Sequence, residues 1–126
     1  MNVLVLLVED NRNLARSVIA ALELRGAEVV LAETLWAARD SFAARTFDVV
    51  LCDYELPERL GGLNTGRGTS FLSEVTMLEP PRPLTILWSG LDRTREVAAE
   101  MPVPPDHVLV KDDLSAAINL VLGARS

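Results

Sequence analysis

The feature that most constrains this chain is a set of three short, almost uninterrupted apolar runs: Val3–Val8, Val49–Cys52 and Leu84–Trp88. Alternating apolar and polar residues would mark strands with one wet face. Runs apolar at nearly every position mark parallel strands covered on both sides. Glu28–Ala32 and Val108–Val110 are shorter runs of the same kind. Between the runs lie segments with helical spacing. Leu14, Val18, Ala21 and Leu22 share one face after Asn11, and Gly26 supplies a stop. Leu35, Ala38 and Phe42 form a second face behind a Thr34 cap. Phe71, Val75 and Leu78 form a third, ended by Pro80-Pro81. Asp92–Met101 reads as a fourth helix, capped by Asp92 and thinly apolar, so lightly packed. Leu114, Ala117, Ile118 and Val121 make a fifth, begun by Asp112 or Asp113 and closed near Gly123. Strand and helix thus alternate five times. Because strand–helix–strand crossovers are right-handed, the alternation predicts an α/β fold: a doubly wound five-stranded parallel sheet with helices on both faces.

At 126 residues the chain is expected to form one domain, without repeats or an interdomain linker. Its 12 Lys+Arg against 18 Asp+Glu leave a net charge of −6, which disfavours nucleic acid and anionic membrane surfaces as partners. Cys52 is the single cysteine, so no intrachain disulfide or cysteine-based zinc site can form. The apolar start is too short for a secretory signal, and no stretch approaches the ~20 apolar residues of a membrane span. A cytoplasmic protein is expected. One stretch breaks the rhythm: Pro57 to Gly68 holds four of the seven glycines and no apolar periodicity. It reads as a long loop without the spacing of a phosphate-cradling P-loop.

In open parallel sheets, ligands bind at the carboxyl ends of the strands, where the strand order reverses. The first run ends in Glu9-Asp10, the third in Asp53, the fourth in Ser89-Gly90 and the fifth in Lys111. Each has a plainer reading: Asp10 as a helix cap, Asp53 and Lys111 as strand-end charges, Ser89 as a turn. Cys52, Trp36 and Trp88 read as packing residues. Together, however, three carboxylates on one rim repel each other unless a cation lies between them. Mg²⁺ suits this set, taking one or two carboxylates and a phosphoryl oxygen. A lysine and a hydroxyl beside it complete a pocket for a highly charged tetrahedral anion. The candidate nucleophile is a carboxylate.

On these residues the chain resembles the receiver domain of two-component response regulators. The carrying motifs are Leu7-Val8-Glu9-Asp10-Asn11, Asp53-Tyr54-Glu55-Leu56-Pro57, Trp88-Ser89-Gly90 and Lys111, one per strand and in order. The resemblance implies a flavodoxin-like receiver fold; with the sequence ending at Ser126, a receiver domain over 1–126 with no output domain is expected, as a stand-alone adaptor, a phosphorelay intermediate or a fragment of something larger. It also implies a phosphoacceptor signalling role in place of a conventional enzyme, catalysing only its own phosphorylation and dephosphorylation. Asp53 would accept the phosphoryl group from a histidine kinase or phosphotransfer protein. Glu9, Asp10, Asp53 and the Glu55 carbonyl would hold Mg²⁺, while Ser89, Gly90 and Lys111 would bind the phosphoryl group and switch. Output to a downstream protein, or pairing as a homodimer, would use the face of helix four, strand five and helix five.

The chain departs from the family in two places. Asp112 follows Lys111 where the family usually has Pro, so a trans peptide and a shifted lysine loop are expected. Asp112-Asp113, close in sequence to the lysine, are expected to compete for it. Val108 stands where the switch aromatic is common, with His107 expected on the opposite side of the strand. Two other readings compete: a degenerate receiver that binds partners without phosphorylation, and a phosphatase of the haloacid-dehalogenase type. The second would want Asp where Glu55 stands and leaves Glu9 and Asp10 unemployed.

Overall fold

The computed structural model describes residues 2–57, 62, 68–90, 94–111 and 113–124. Its strands are β1 (Leu4–Val8), β2 (Glu28–Ala32), β3 (Val49–Asp53), β4 (Leu84–Ser89) and β5 (His107–Val110). The helices are α1 (Arg12–Leu24), α2 (Leu35–Ala44), α3 (Gly68–Thr76), α4 (Thr94–Ala99) and α5 (Leu114–Gly123). All five strands pair in parallel, in the order β2-β1-β3-β4-β5. The doubly wound sheet expected from the apolar runs is therefore present. The strand order reverses between β1 and β3, which opens a crevice at their carboxyl ends.

Both faces of the sheet are covered, which is why its strands are apolar at successive positions. On one face, Val5, Leu7, Val49, Leu51, Ile86 and Trp88 pack against Ala15, Val18 and Leu22 of α1 and Ala117, Ile118 and Val121 of α5. On the other, Leu6, Val8, Val50, Cys52 and Leu87 meet Leu35 and Ala38 of α2, Phe71, Leu72 and Val75 of α3, and Ala98 of α4. Cys52 is fully buried, as a small apolar residue would be. Burying each large side chain in these layers contributes roughly 1.5–3 kcal/mol.

The caps follow the expected chemistry, with one shift. Asn11, and not Asp10, caps α1: its side chain accepts the Leu14 N–H at 3.1 Å. Thr34 accepts the Ala37 N–H at 3.0 Å and Asp113 the Ala116 N–H at 3.2 Å. Gly26 takes φ +92°, the left-handed conformation that ends α1 and that a side chain would oppose.

Two boundaries differ from expectation. The third helix ends at Thr76, so Leu78 is not on its buried face and stands 45% exposed. The N–H groups of Met77 and Leu78 turn back onto Ser73 and Val75, and Leu72 and Thr76 fill the face instead. Among the described residues the fourth helix covers Thr94–Ala99, so it ends before Met101, which is buried beyond it. The expected Asp92 cap, the peptide joining Lys111 to Asp112, and most of the glycine-rich loop lie outside the described residues. Among the described residues no helix is long and apolar enough to cross a membrane.

Candidate functional site

The period of two along each strand positions the site. Leu7, Leu51 and Leu109 lie on the α1/α5 side of the sheet. Two residues further on, past or at the ends of their strands, come Glu9, Asp53 and Lys111. The charged groups thus continue three apolar columns just where the sheet gives out. Glu9 is 0% exposed and Asp53 2%, each anchored by its own strand end. The Glu9 N–H donates to the Ala32 carbonyl at 3.0 Å, while Asp53 is the last residue of β3.

Lys111 reaches across the sheet to both acids. Its Nζ lies 2.8 Å from Asp53 Oδ2 and 2.7 Å from Glu9 Oε1. The first contact is a hydrogen bond; the second is a close ion pair onto a buried carboxylate oxygen, off the best hydrogen-bond geometry. The remaining carboxylate oxygens accept backbone donors. Glu9 Oε2 takes the Asn11 N–H at 3.0 Å, and Asp53 Oδ1 the Glu55 N–H at 3.3 Å. The ammonium also stands 5.8 Å from the centroid of the Trp88 ring. Asp113 does not compete for it, being engaged as the α5 cap.

The half-buried Asp10 completes the acidic set: ligand oxygens of Glu9, Asp10 and Asp53 all lie within 4.8 Å of one another. The donor set fits a hard divalent cation, with oxygens of three carboxylates converging at the strand ends and one lysine to offset them. Burial pushes the Glu9 carboxyl up to about 7, helped by the Asp53 charge and opposed by Lys111. Burial also raises Asp53, against the Lys111 hydrogen bond and charge. Lys111 is itself raised: desolvation lowers it, but the two carboxylates outweigh that. One lysine does not fully compensate two buried acids.

Of the other expected site residues, Ser89 closes β4, is buried, and accepts the Lys111 N–H on its carbonyl at 3.1 Å. Gly90 follows it and is exposed. Glu55 enters through its N–H on Asp53. Sequence reasoning missed Gly68. Its N–H donates to the Tyr54 carbonyl at 2.9 Å, and a Cβ there would fall 1.8 Å from the Asp53 carbonyl oxygen. The start of α3 is thus seated directly on the backbone of Asp53 and Tyr54. Gly68 is the last glycine of the loop, immediately before the apolar spacing of Phe71 and Val75, and that position was the available signal.

The crevice of a reversed-order parallel sheet thus carries three acids and a lysine on one rim. The chain belongs to the response regulator receiver domain family, whose model matches residues 5–112. It is a receiver domain of response regulators, the phosphoacceptor signalling class of two-component systems, and neither the phosphatase nor the degenerate reading is favoured. No curated protein matches the sequence. Among solved structures it is similar to a CheY-like receiver domain from Methylobacillus flagellatus, at 20% identity and a TM-score of 0.76, covering 98% of this chain and 99% of that one. It is also similar to TrrA from Thermotoga maritima in complex with Mg(2+)-BeF, at 23% identity and 0.74, covering 97% and 100%. A third is a Burkholderia pseudomallei response regulator with a phosphorylated aspartic acid, calcium ion and citrate, at 21% and 0.75, covering 98% and 69%. At these identities the likeness shows a shared fold. Receiver domains bind Mg²⁺ at an acidic site and interact with histidine kinases or phosphotransfer proteins and with downstream targets.

Proposed function

We propose that Asp53 is the phosphoacceptor of this receiver domain. The observation that carries the reading is its carboxylate: it ends the central strand of the sheet, buried, with Lys111 at 2.8 Å and the oxygens of Glu9 and Asp10 beside it. The donor is a phosphohistidine of a kinase or phosphotransfer protein, or a small acyl phosphate. In the transfer the phosphorus–nitrogen bond of the phosphohistidine breaks and a bond from phosphorus to an Asp53 carboxylate oxygen forms. Glu9, Asp10, Asp53 and the Glu55 carbonyl would hold Mg²⁺, which when bound neutralises charge on the transferring group. The complexes of related folds with Mg(2+)-BeF and with a phosphorylated aspartic acid support the assignment.

Within the chain, Lys111 holds Asp53 ionised before transfer and pairs with the phosphoryl oxygens afterwards. The Ser89 hydroxyl and the backbone of Gly90 follow the phosphoryl group. Their movement draws on the adjoining α4, which among the described residues spans Thr94–Ala99 and buries Ala98. A few charge-assisted hydrogen bonds, at roughly 1.5–3 kcal/mol each, are enough to shift a two-state equilibrium. The output face, for a downstream protein or a second copy, is that of α4, β5 and α5. There Val110 is 49% exposed and Val108 carries no aromatic ring. The domain works in the cytoplasm, where its donors are.

Incubation with acetyl phosphate tests the reading by intact mass. The wild-type chain is expected to gain one phosphoryl group when Mg²⁺ is present and none when it is chelated. Asp53→Asn is expected to gain none in either condition. An unmodified wild type, or an Asp53→Asn chain that takes up the group equally well, would overturn the assignment.

A further inference from the structure

The indole of Trp88 lies where the site needs a floor. Asp53 of β3 pairs in register with Trp88 of β4, and Trp88 with Leu109 of β5. Lys111 starts two residues beyond Leu109, yet its ammonium ends on Asp53 and Glu9, which belong to β3 and to the end of β1. With strands about 4.8 Å apart, the side chain must run across β4 to arrive. The β4 side chain on that face is Trp88, fully buried, with the ammonium 5.8 Å from its ring centroid. Within about 6 Å of an indole, a desolvated ammonium is attracted by the ring quadrupole.

A second observation concerns the ring nitrogen. Trp88 Nε1 is buried and finds no hydrogen-bond acceptor among the described residues. An unpaired buried N–H costs free energy that an aliphatic or phenyl side chain at the same place would avoid. Hydrocarbon packing alone therefore favours Leu, Met or Phe at this position. What an aromatic ring adds, the indole more than a phenyl, is a π-face beneath the Lys111 ammonium.

We infer that Trp88 is a positioning residue: its ring holds the Lys111 ammonium above β4, between Glu9 and Asp53, and so sets how tightly the site takes a tetrahedral anion. Trp88 touches neither the phosphoryl group nor the cation; it acts through Lys111. The inference uses the Asp53 reading only for its anion measurement. Its contact with Lys111 is tested separately.

The 126-residue chain serves for both measurements. In wild type the ε-methylene protons of Lys111, stacked over a ring, are expected to resonate upfield of ordinary lysine positions by NMR. They should stay upfield in Trp88→Phe and return to ordinary positions in Trp88→Leu. With Mg²⁺ saturating, beryllofluoride should bind Trp88→Leu about 5- to 30-fold more weakly than wild type, the range expected from losing a desolvated cation–π contact. Trp88→Phe should stay close to wild type, and in Trp88→Leu the Mg²⁺ affinity without beryllofluoride should change much less than the anion affinity, since Glu9, Asp10 and Asp53 all remain while the lysine loosens. Ordinary Lys111 shifts in wild type would overturn the inference, and so would a folded Trp88→Leu that binds beryllofluoride as wild type does. An equal loss of Mg²⁺ and beryllofluoride affinity would also contradict it, showing general loosening. If Trp88→Leu does not fold, the wild-type shifts and Trp88→Phe decide. If wild type binds no beryllofluoride, the Asp53 reading falls, and the NMR shifts still settle the place of the ring.

Discussion

Gly68→Ala is expected to lose about 3 kcal/mol or more of folding stability, at the upper end of what overpacking costs. The added methyl would fall 1.8 Å from the Asp53 carbonyl oxygen and 2.8 Å from Tyr54 Cα, both backbone atoms that no rotamer change can remove. Relief requires α3 to lift or the end of β3 to retreat. Either movement breaks the hydrogen bond from Gly68 N–H to the Tyr54 carbonyl and moves the carboxylate that faces Lys111. The substitution should therefore weaken Mg²⁺ and beryllofluoride binding as well as stability. Gly123→Ala is the control: nothing lies within 4 Å of its added Cβ, and alanine is the better helix former at the end of α5. Urea unfolding of the two variants measures the contrast. A Gly68→Ala chain as stable as Gly123→Ala would show that α3 is not seated on the acceptor strand.

The second large effect is a stability that depends on pH and on divalent cation together. In the metal-free chain Glu9 titrates at about 7 against an ordinary 4.5, and Asp53 is raised in the same direction. An acid raised by folding is most favourable to the fold when protonated. Its contribution is complete below about 4.5 and is lost as pH rises through about 7. Lys111 stays charged throughout this range and adds no slope of its own. Between pH 5 and pH 8 the metal-free protein should thus lose stability, on the order of 2–3 kcal/mol from Glu9. A divalent cation binds the ionised acids and competes with protons, so Mg²⁺ should raise the melting temperature much more at pH 8 than at pH 5. Lys111→Met sharpens the effect, leaving two buried carboxylates with no cation at high pH. Thermal melts with Mg²⁺ or chelator at both pH values provide the check. A Mg²⁺ shift that is equal at the two values would mean that Glu9 and Asp53 do not share the ion.

How far the sequence carries the structure can be read from particular residues. The apolar runs placed all five strands within a residue or so; burial on both faces makes β1, β3 and β4 almost continuously apolar, while the edge strands β2 and β5 are partly exposed and admit Glu28 and His107. The same runs delivered Glu9, Asp53, Ser89 and Lys111 to one rim, since a parallel sheet brings all strand ends of one kind together. Where spacing failed, it failed at ends. Leu78 keeps the interval from Val75 but lies beyond the last turn of α3, and Asn11 took the cap that Asp10 also suited. What no pattern could disclose was contact between distant segments. The approach of Gly68 to Asp53 depends on how a long loop closes, and the passage of Lys111 over Trp88 depends on strand order and side-chain reach. Glu9 looked like a metal residue alone; in the folded chain it is also an anchor of the lysine.

The most direct measurement locates the phosphoryl group on the chain. After treatment with acetyl phosphate and Mg²⁺, borohydride reduces an aspartyl phosphate to homoserine, and peptide mass spectrometry identifies the residue converted. The account predicts conversion at Asp53, with Glu9, Asp10, Glu55 and Asp113 untouched. Conversion at another carboxylate, or none in a chain that is folded and saturated with Mg²⁺, would contradict it.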